Sequence, residues 1–325
     1  MVFTEKKTYL DLKNLAPISV SVYDRIYHFR KCIESLKKND LAKHSILYVF
    51  SDQAKPGDEV SVLEVRKYAK SIKGFKKVNL IFQKKNNYKK NIKDLIEVPF
   101  HINGKNIVLE DDVIVAKQFL RFMNEGLNKY EHHSKVCSVS GYFHPVNYNI
   151  KSDYLFLRRM DGWGIGLWSK KYKKIKKKFS SKDLVSTYIY NWKMYKKLCD
   201  LSPNMITALL DLSQREHQPD DYFGLLYYIK YDKFGLYPTK SLTRNMGHDG
   251  SGVNCSISNK YKKIKIYQGK INLNEEVIVK SNLAIEIKIG KYFYSKKYKS
   301  LLYFLFNLLK YQFPKLRWFI KKLIR

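Results

Sequence analysis

The chain has 325 residues, 45% hydrophobic and 15% aromatic, and carries a formal net charge of +33 from 62 basic against 29 acidic residues. Such apolar content excludes a globally disordered polymer and suffices for one large α/β domain or two smaller ones. The charge calls for an anionic partner: nucleic acid, an anionic membrane or a phosphorylated substrate. The four cysteines, Cys32, Cys137, Cys199 and Cys255, are scattered and form no C-x-x-C pair, which excludes a zinc-ligand pattern and suits reduced cytosolic thiols. No apolar h-region opens the chain, so no signal peptide is expected, and no run of about 18 uncharged apolar residues offers a transmembrane helix.

In chain order, residues 16–23 read as a first strand, followed by Asp24 and Arg25. Ile26, Phe29, Ile33 and Leu36 then recur at helical spacing and predict an amphipathic helix that ends near residues 37–40. Residues 44–50 predict a second strand closed by Ser51 and Asp52, 60–72 a helix, 78–82 a third strand and 89–98 a third helix. A strand over 105–109 and a helix over 118–130 follow. This alternation predicts an open, mostly parallel α/β sheet flanked by helices.

From about residue 134 the pattern turns irregular, with a short strand over 136–140 and a loop-rich aromatic stretch over 142–157. Gly162, Gly164 and Gly166 alternate with Trp163, Ile165 and Leu167, and no G-x-G-x-x-G follows. Such glycines suit either a close backbone approach beside a flat ligand or a bulged strand. Residues 170–178 hold seven lysines in nine positions and read as a solvated helix face. Helices are expected over 202–212 and from Asp220-Asp221 to about 232, then a polar glycine-rich loop over 245–252 that contains His248.

No acid follows Glu286, while Lys and Arg recur to the end among Leu, Phe, Tyr and Trp. Residues 256–325 are therefore expected to form a basic, aromatic, helical C-terminal extension that meets an anionic membrane surface, with residues 1–255 as the catalytic unit. The competing reading docks an apolar helix of the tail on that unit, lysines outward.

Glu110-Asp111-Asp112 leave the apolar run 106–109 as three adjacent carboxylates. Like charges so placed repel unless something positive neutralises them, and a hard divalent cation, Mg²⁺ or Mn²⁺, does so while also holding phosphates. The cluster falls where α/β sheets bind ligands, outside the carboxyl ends of strands. It points to a metal–diphosphate site for a nucleotide-sugar, against the simpler reading of a solvated acidic turn.

These features, in this order, resemble the inverting GT-A glycosyltransferases related to N-acetylglucosaminyltransferase I, over about residues 16–253. The resemblance implies a GT-A, Rossmann-like fold, a nucleotide-sugar donor, a glycan or lipid-linked acceptor and a role in bacterial surface-glycan synthesis at the inner face of the plasma membrane. By position, it implies that Arg25 lies near the nucleotide, that Asp52 hydrogen-bonds uracil, and that Asp112 coordinates manganese. Glu110 and Asp111 would contact donor sugar, ribose or metal-bound water, and Gly162 and Trp163 would lie near the donor sugar. Asp221, or its neighbour Asp220, would be the catalytic base, although the pair also suits a helix N-terminus. His248 lies in a loop that supplies a third metal ligand in other GT-A enzymes. Two other readings compete: a basic nucleic-acid-binding protein, for which no specific motif is present, and a metal-dependent nucleotidyltransferase.

Overall fold

The computed structural model describes residues 10–177, 181–203, 205–206, 208–209, 220–252, 257–258, 261, 264–292 and 301–313; the side chains of 181–183, 220 and 221 lie outside that description. Its first half is built on three largely buried strands and a partly exposed edge strand, Lys77–Phe82. β1 (Ile18–Val22), β2 (Ile46–Ser51), β3 (Lys77–Phe82) and β4 (Lys105–Glu110) pair in parallel. α1 (Ile26–Lys37), α2 (Glu59–Ser71) and α3 (Tyr88–Glu97) make the crossovers. α1 buries Phe29, Cys32, Ile33 and Leu36, the stripe its sequence spacing prescribes. Polar residues inside the sheet are matched with one another. Buried Ser19 donates to Asn106 Oδ1 at 2.8 Å, and Asn106 Nδ2 donates to the carbonyls of Leu95 and Ile96 at 2.9 and 3.1 Å.

The sheet continues through β8 (Ile165–Trp168), β6 (Val136–Ser140), β9 (Phe234–Pro238) and the edge strand β7 (Tyr154–Leu157), giving the order β3-β2-β1-β4-β8-β6-β9-β7. A small antiparallel pair, β5 (Val113–Val115) with β10 (Thr243–Asn245), sits beside it. The expected α/β class, a mostly parallel sheet flanked by helices, is the one observed. The chain winds outward from β1 to β3 and then returns to place β4 on the other side of β1. Strand order therefore reverses between β1 and β4, and an open α/β sheet leaves its ligand crevice at such a point.

The second half departs from the expectation of loops. Residues 154–157 form β7, because Tyr154, Leu155, Phe156 and Leu157 are all buried in antiparallel register with β9. The three alternating glycines have three separate causes. Gly166 lies in β8 under α4 (Phe119–Lys129), where a Cβ would come within 3.2 Å of Leu127 and Met123. Gly164 adopts φ +88°, a backbone that favours glycine. Only Gly162 borders open space. The lysine run forms α5 (Ser169–Lys177), yet Lys171 is not solvated. Its Nζ donates to the carbonyls of Tyr130, His133 and Val136 at 2.6, 3.1 and 2.7 Å, and burial pushes it down to about 8.

A second hydrophobic cluster joins α6 (Ser181–Ile189), α7 (Trp192–Leu201), α8 (Asp220–Tyr231) and Phe304 of α10 (Leu301–Gln312). The helix expected over 202–212 lies partly outside the described residues, as does Cys255, whereas Cys32, Cys137 and Cys199 are buried. α9 (Leu283–Tyr292) is fastened to the sheet by Glu286, which is 1% exposed. Its carboxylate accepts from the Arg158 backbone N–H at 2.5 Å, from Arg158 Nη2 at 2.6 Å and from Ser281 Oγ at 2.8 Å. Removing one partner of a buried pair strands the other, at a cost of about 3–5 kcal/mol. Glu286→Ala is expected to lose that much in urea unfolding at unchanged m-value. A loss below about 1 kcal/mol would mean that Asp232, 3.9 Å from Arg158 Nη1, takes up the cation instead.

Candidate active site

Parallel pairing puts the exits of β2, β1 and β4 side by side: Val22 lies opposite Ser51, and Ser21 opposite Glu110. Arg25, Asp52 and the acidic triplet therefore gather at one end of the sheet. Glu110 ends β4 exposed, whereas Asp111 and Asp112 turn inward at 4% and 3% exposure. Arg25, the residue before α1, meets both: its Nη2 bonds Asp111 Oδ1 and lies 2.9 Å from Asp112 Oδ2.

The loop after β10 closes over the pair. Asn245 Nδ2 donates to Asp112 Oδ1 at 2.9 Å, Met246 N–H to the Asp112 carbonyl at 2.8 Å, and Gly247 N–H to Asn245 Oδ1 at 2.7 Å. A Cβ on Gly247 would overlap the Asp112 carboxylate and lie 3.0 Å from Arg25 Nη1, so only glycine fits this approach. The loop is tethered to α1 by Asp249 Oδ2, 3.0 Å from His28 Nε2. Hydrogen bonds from the Ser251 hydroxyl and backbone hold Asp249 down at about 2.

One guanidinium answers two buried carboxylates, so the site is short of positive charge. Burial, with the Asp112 charge adding, pushes Asp111 up to about 7 despite the opposing Arg25. Both acids, in turn, hold Arg25 firmly protonated against its own desolvation. A hard divalent cation takes carboxylate oxygens and completes its shell with phosphate and water. The donor set fits Mg²⁺ or Mn²⁺ in that manner, with few protein ligands. Among the described residues no group of three or more His, Cys, Asp or Glu is placed to hold a metal.

His248 is placed against aromatic rings. It stacks on Tyr261 at 4.2 Å between centroids and meets Trp163 at 5.6 Å, and its buried Nε2 has no hydrogen-bond partner among the described residues. Trp163 is held by its own carbonyl, which accepts from Thr243 Oγ1 at 2.8 Å, and by Tyr142 at 4.6 Å. Gly162, Trp163 and His248 thus form one group, joined to the Asp112 group through the strand and loop that carry Thr243, Asn245 and Gly247. Asp52 stands apart, two strand spacings from β4, roughly 10 Å. It is 5% exposed, and its Oδ1 accepts from the backbone N–H groups of Gln53 and Asn87 at 2.9 and 3.0 Å. Arg66 braces the same turn, donating to the Asp52 carbonyl at 3.0 Å. Asp220 and Asp221 open α8, and their side chains lie outside the described residues.

Sequence reasoning missed Asp161, the residue before Gly162. It binds His144 Nε2 at 3.1 Å, Tyr237 OH at 2.8 Å and Arg159 Nε at 3.5 Å. Burial alone would raise it, but the charges of Arg159 and His144 win and hold it well below the usual carboxylate range. So acidic a group is a poor proton acceptor; its place is under the Gly162–Trp163 turn, as an anchor. The only local signal is a charged residue lodged between aromatic and glycine-rich positions.

No protein-family model and no curated protein matches the chain. Among solved structures it is similar to S. aureus TarS at 12% identity and TM-score 0.32, over 50% of this chain and 29% of that one. It is also similar to the mannosyltransferase PcManGT from Pyrobaculum calidifontis in complex with GDP-Man and Mn²⁺, at 9% identity and TM-score 0.35, over 66% and 69% of the two chains. A third is mouse xyloside xylosyltransferase 1 in its apo form, at 11% identity and TM-score 0.35, over 67% and 82%. Likeness this distant leaves function to be read from the site.

A depressed carboxylate contributes stability above its unfolded-state value near 4 and loses it as pH falls toward its folded value. Asp161→Asn is therefore expected to destabilise the protein by about 3–5 kcal/mol at pH 7, leaving buried Arg159 uncompensated. The deficit should shrink steadily as the pH is lowered through and below about 4. Parallel urea titrations of the two proteins at neutral and acidic pH measure it, and a pH-independent difference would remove the electrostatic account.

Proposed function

We propose that the chain is a metal-dependent glycosyltransferase. In this reading it moves a sugar from a nucleotide-sugar, a UDP-sugar, to a glycan or lipid-linked acceptor with inversion. The product belongs to a surface polysaccharide or lipopolysaccharide made at the inner face of the plasma membrane. The observation that carries the reading is the buried Asp111–Asp112 pair at the reversal of strand order, answered by a single guanidinium and covered by the Gly247 backbone. A nucleoside diphosphate brings negative charge that Arg25 and a hard cation together can balance.

Asp112 would hold Mn²⁺ or Mg²⁺, with His248 as a second candidate ligand through its orphaned Nε2. When bound, the cation supplies Lewis-acid stabilisation of the leaving diphosphate. The chain's own residues do the rest. Arg25 binds the diphosphate by charge-assisted hydrogen bonds. Asp111 and exposed Glu110 orient ribose and donor sugar. Asp52, fixed by two backbone donors, reads the base. Gly162 leaves space beside Trp163, on whose ring the sugar packs. Asp221, or Asp220, accepts the acceptor hydroxyl's proton as the new bond forms, and a single displacement of that kind inverts the anomeric carbon.

UDP with Mn²⁺ is expected to raise the melting temperature, since a ligand at about 100 times its Kd contributes about 2.7 kcal/mol. Asp112→Asn should abolish the cation-dependent part and lower kcat/KM by about 10²–10³. A shift that survives the substitution would refute the role of Asp112, and release of pyrophosphate instead of a nucleoside diphosphate would move the protein to nucleotidyl transfer. Asp221→Asn is expected to keep the nucleotide-induced shift while kcat falls by about 10²–10⁴. If Asp220→Asn alone has that effect, the base is the first of the pair.

A further inference from the structure

α10 carries its polarity the wrong way round for a helix facing water. Of its two amides, Gln312 lies exposed in the last turn, whereas Asn307 in the body of the helix is 8% exposed and faces inward, where Nδ2 lies 3.4 Å from Tyr195 OH. Phe304, 7% exposed, packs with it against Trp192 and Tyr195 at 5.3 and 5.0 Å between ring centroids. The opposite face presents Leu302, Leu305 and Leu309, at 79%, 43% and 48% exposure, and Leu301 and Phe313 extend it. A stripe of this kind marks an interaction site. Among the described residues no helix is long and apolar enough to cross a membrane, and twelve residues span only about 18 Å.

We infer that the outward face of α10 lies in the surface of an anionic lipid bilayer, leucines inserted and lysines at the headgroups. Charge decides the occupant. From residue 287 to the end the chain has eleven Lys and Arg and no Asp or Glu. A second copy would bring the same charge to the same patch, and a nucleic acid has no use for a leucine stripe. Apolar insertion with basic residues and interfacial aromatics is the pattern of a helix that lies on a membrane. One face of the helix docks on α6 and α7, as the competing reading of the tail expects; the opposite face is the one assigned here to lipid.

The inference stands apart from the transferase reading, because its test needs no turnover. The full chain is sedimented with vesicles of phosphatidylcholine alone and of phosphatidylcholine mixed with phosphatidylglycerol. Binding is expected to the anionic vesicles only, and to weaken as salt is raised. A triple variant, Leu302→Gln, Leu305→Gln and Leu309→Gln, should bind them at least about tenfold more weakly, with its melting temperature unchanged. Unaltered binding of the variant would overturn the inference, since charge alone would then recruit the chain. So would a marked fall in melting temperature, which would mean that the chain itself covers the stripe. So, too, would a dimer, seen by analytical ultracentrifugation, that the variant dissociates.

Discussion

Two carboxylates on adjacent residues, both buried, share one guanidinium. Most of the fold around the crevice follows from that arrangement. Asp111 and Asp112 can stay inside only because β1 and β4 are neighbours, which puts Arg25 beside them. One positive charge does not settle two negative ones, and Asp111 keeps an affinity for protons far above that of an ordinary aspartate. The pair is left under-neutralised, and Asn245 and the Gly247 backbone pack directly over Asp112.

The Asp161 cluster is built on the opposite balance. There one carboxylate faces a guanidinium, an imidazole and a phenol, and its charge is oversupplied with partners. Such a group resists protonation and holds its surroundings still. The Gly162–Trp163 turn is thus set on a rigid mount, while the neighbouring pair remains electrostatically hungry.

Much of this was legible from local pattern. Short stretches rich in Ile, Val, Leu and Phe predicted β1 to β4, and an acidic triplet after such a stretch stands out because nothing in a strand explains it. Partners brought by the fold were not legible. Asp161 gains its meaning from His144 and Tyr237, 17 and 76 residues away. β7 was hidden because both its faces are buried, which erases the alternation that marks a half-exposed strand, and β8 stood only as one of two readings of the alternating glycines. Lys171 looked like one more solvated lysine until the α4–β6 connection wrapped its ammonium group in carbonyls. α10 was legible in composition but not in direction, since an evenly apolar helix does not announce which side will pack.

The separation of the charged partners along the chain has a consequence for how the crevice comes into being. Arg25 lies 86 and 87 residues from the two acids it serves, and Asn245 lies 133 residues beyond Asp112. Contacts of such high order form only after the intervening loops have been closed, which slows them relative to local structure. Until β1 and β4 dock, the acids are ordinary hydrated aspartates; until β10 arrives, Asp112 lacks its amide partner. The crevice is assembled from pieces that lie far apart in the order of synthesis. A chain that lacks any one of these segments has no partly formed version of it, and whatever recognises the finished arrangement thereby inspects the docking of β1, β4 and β10 together.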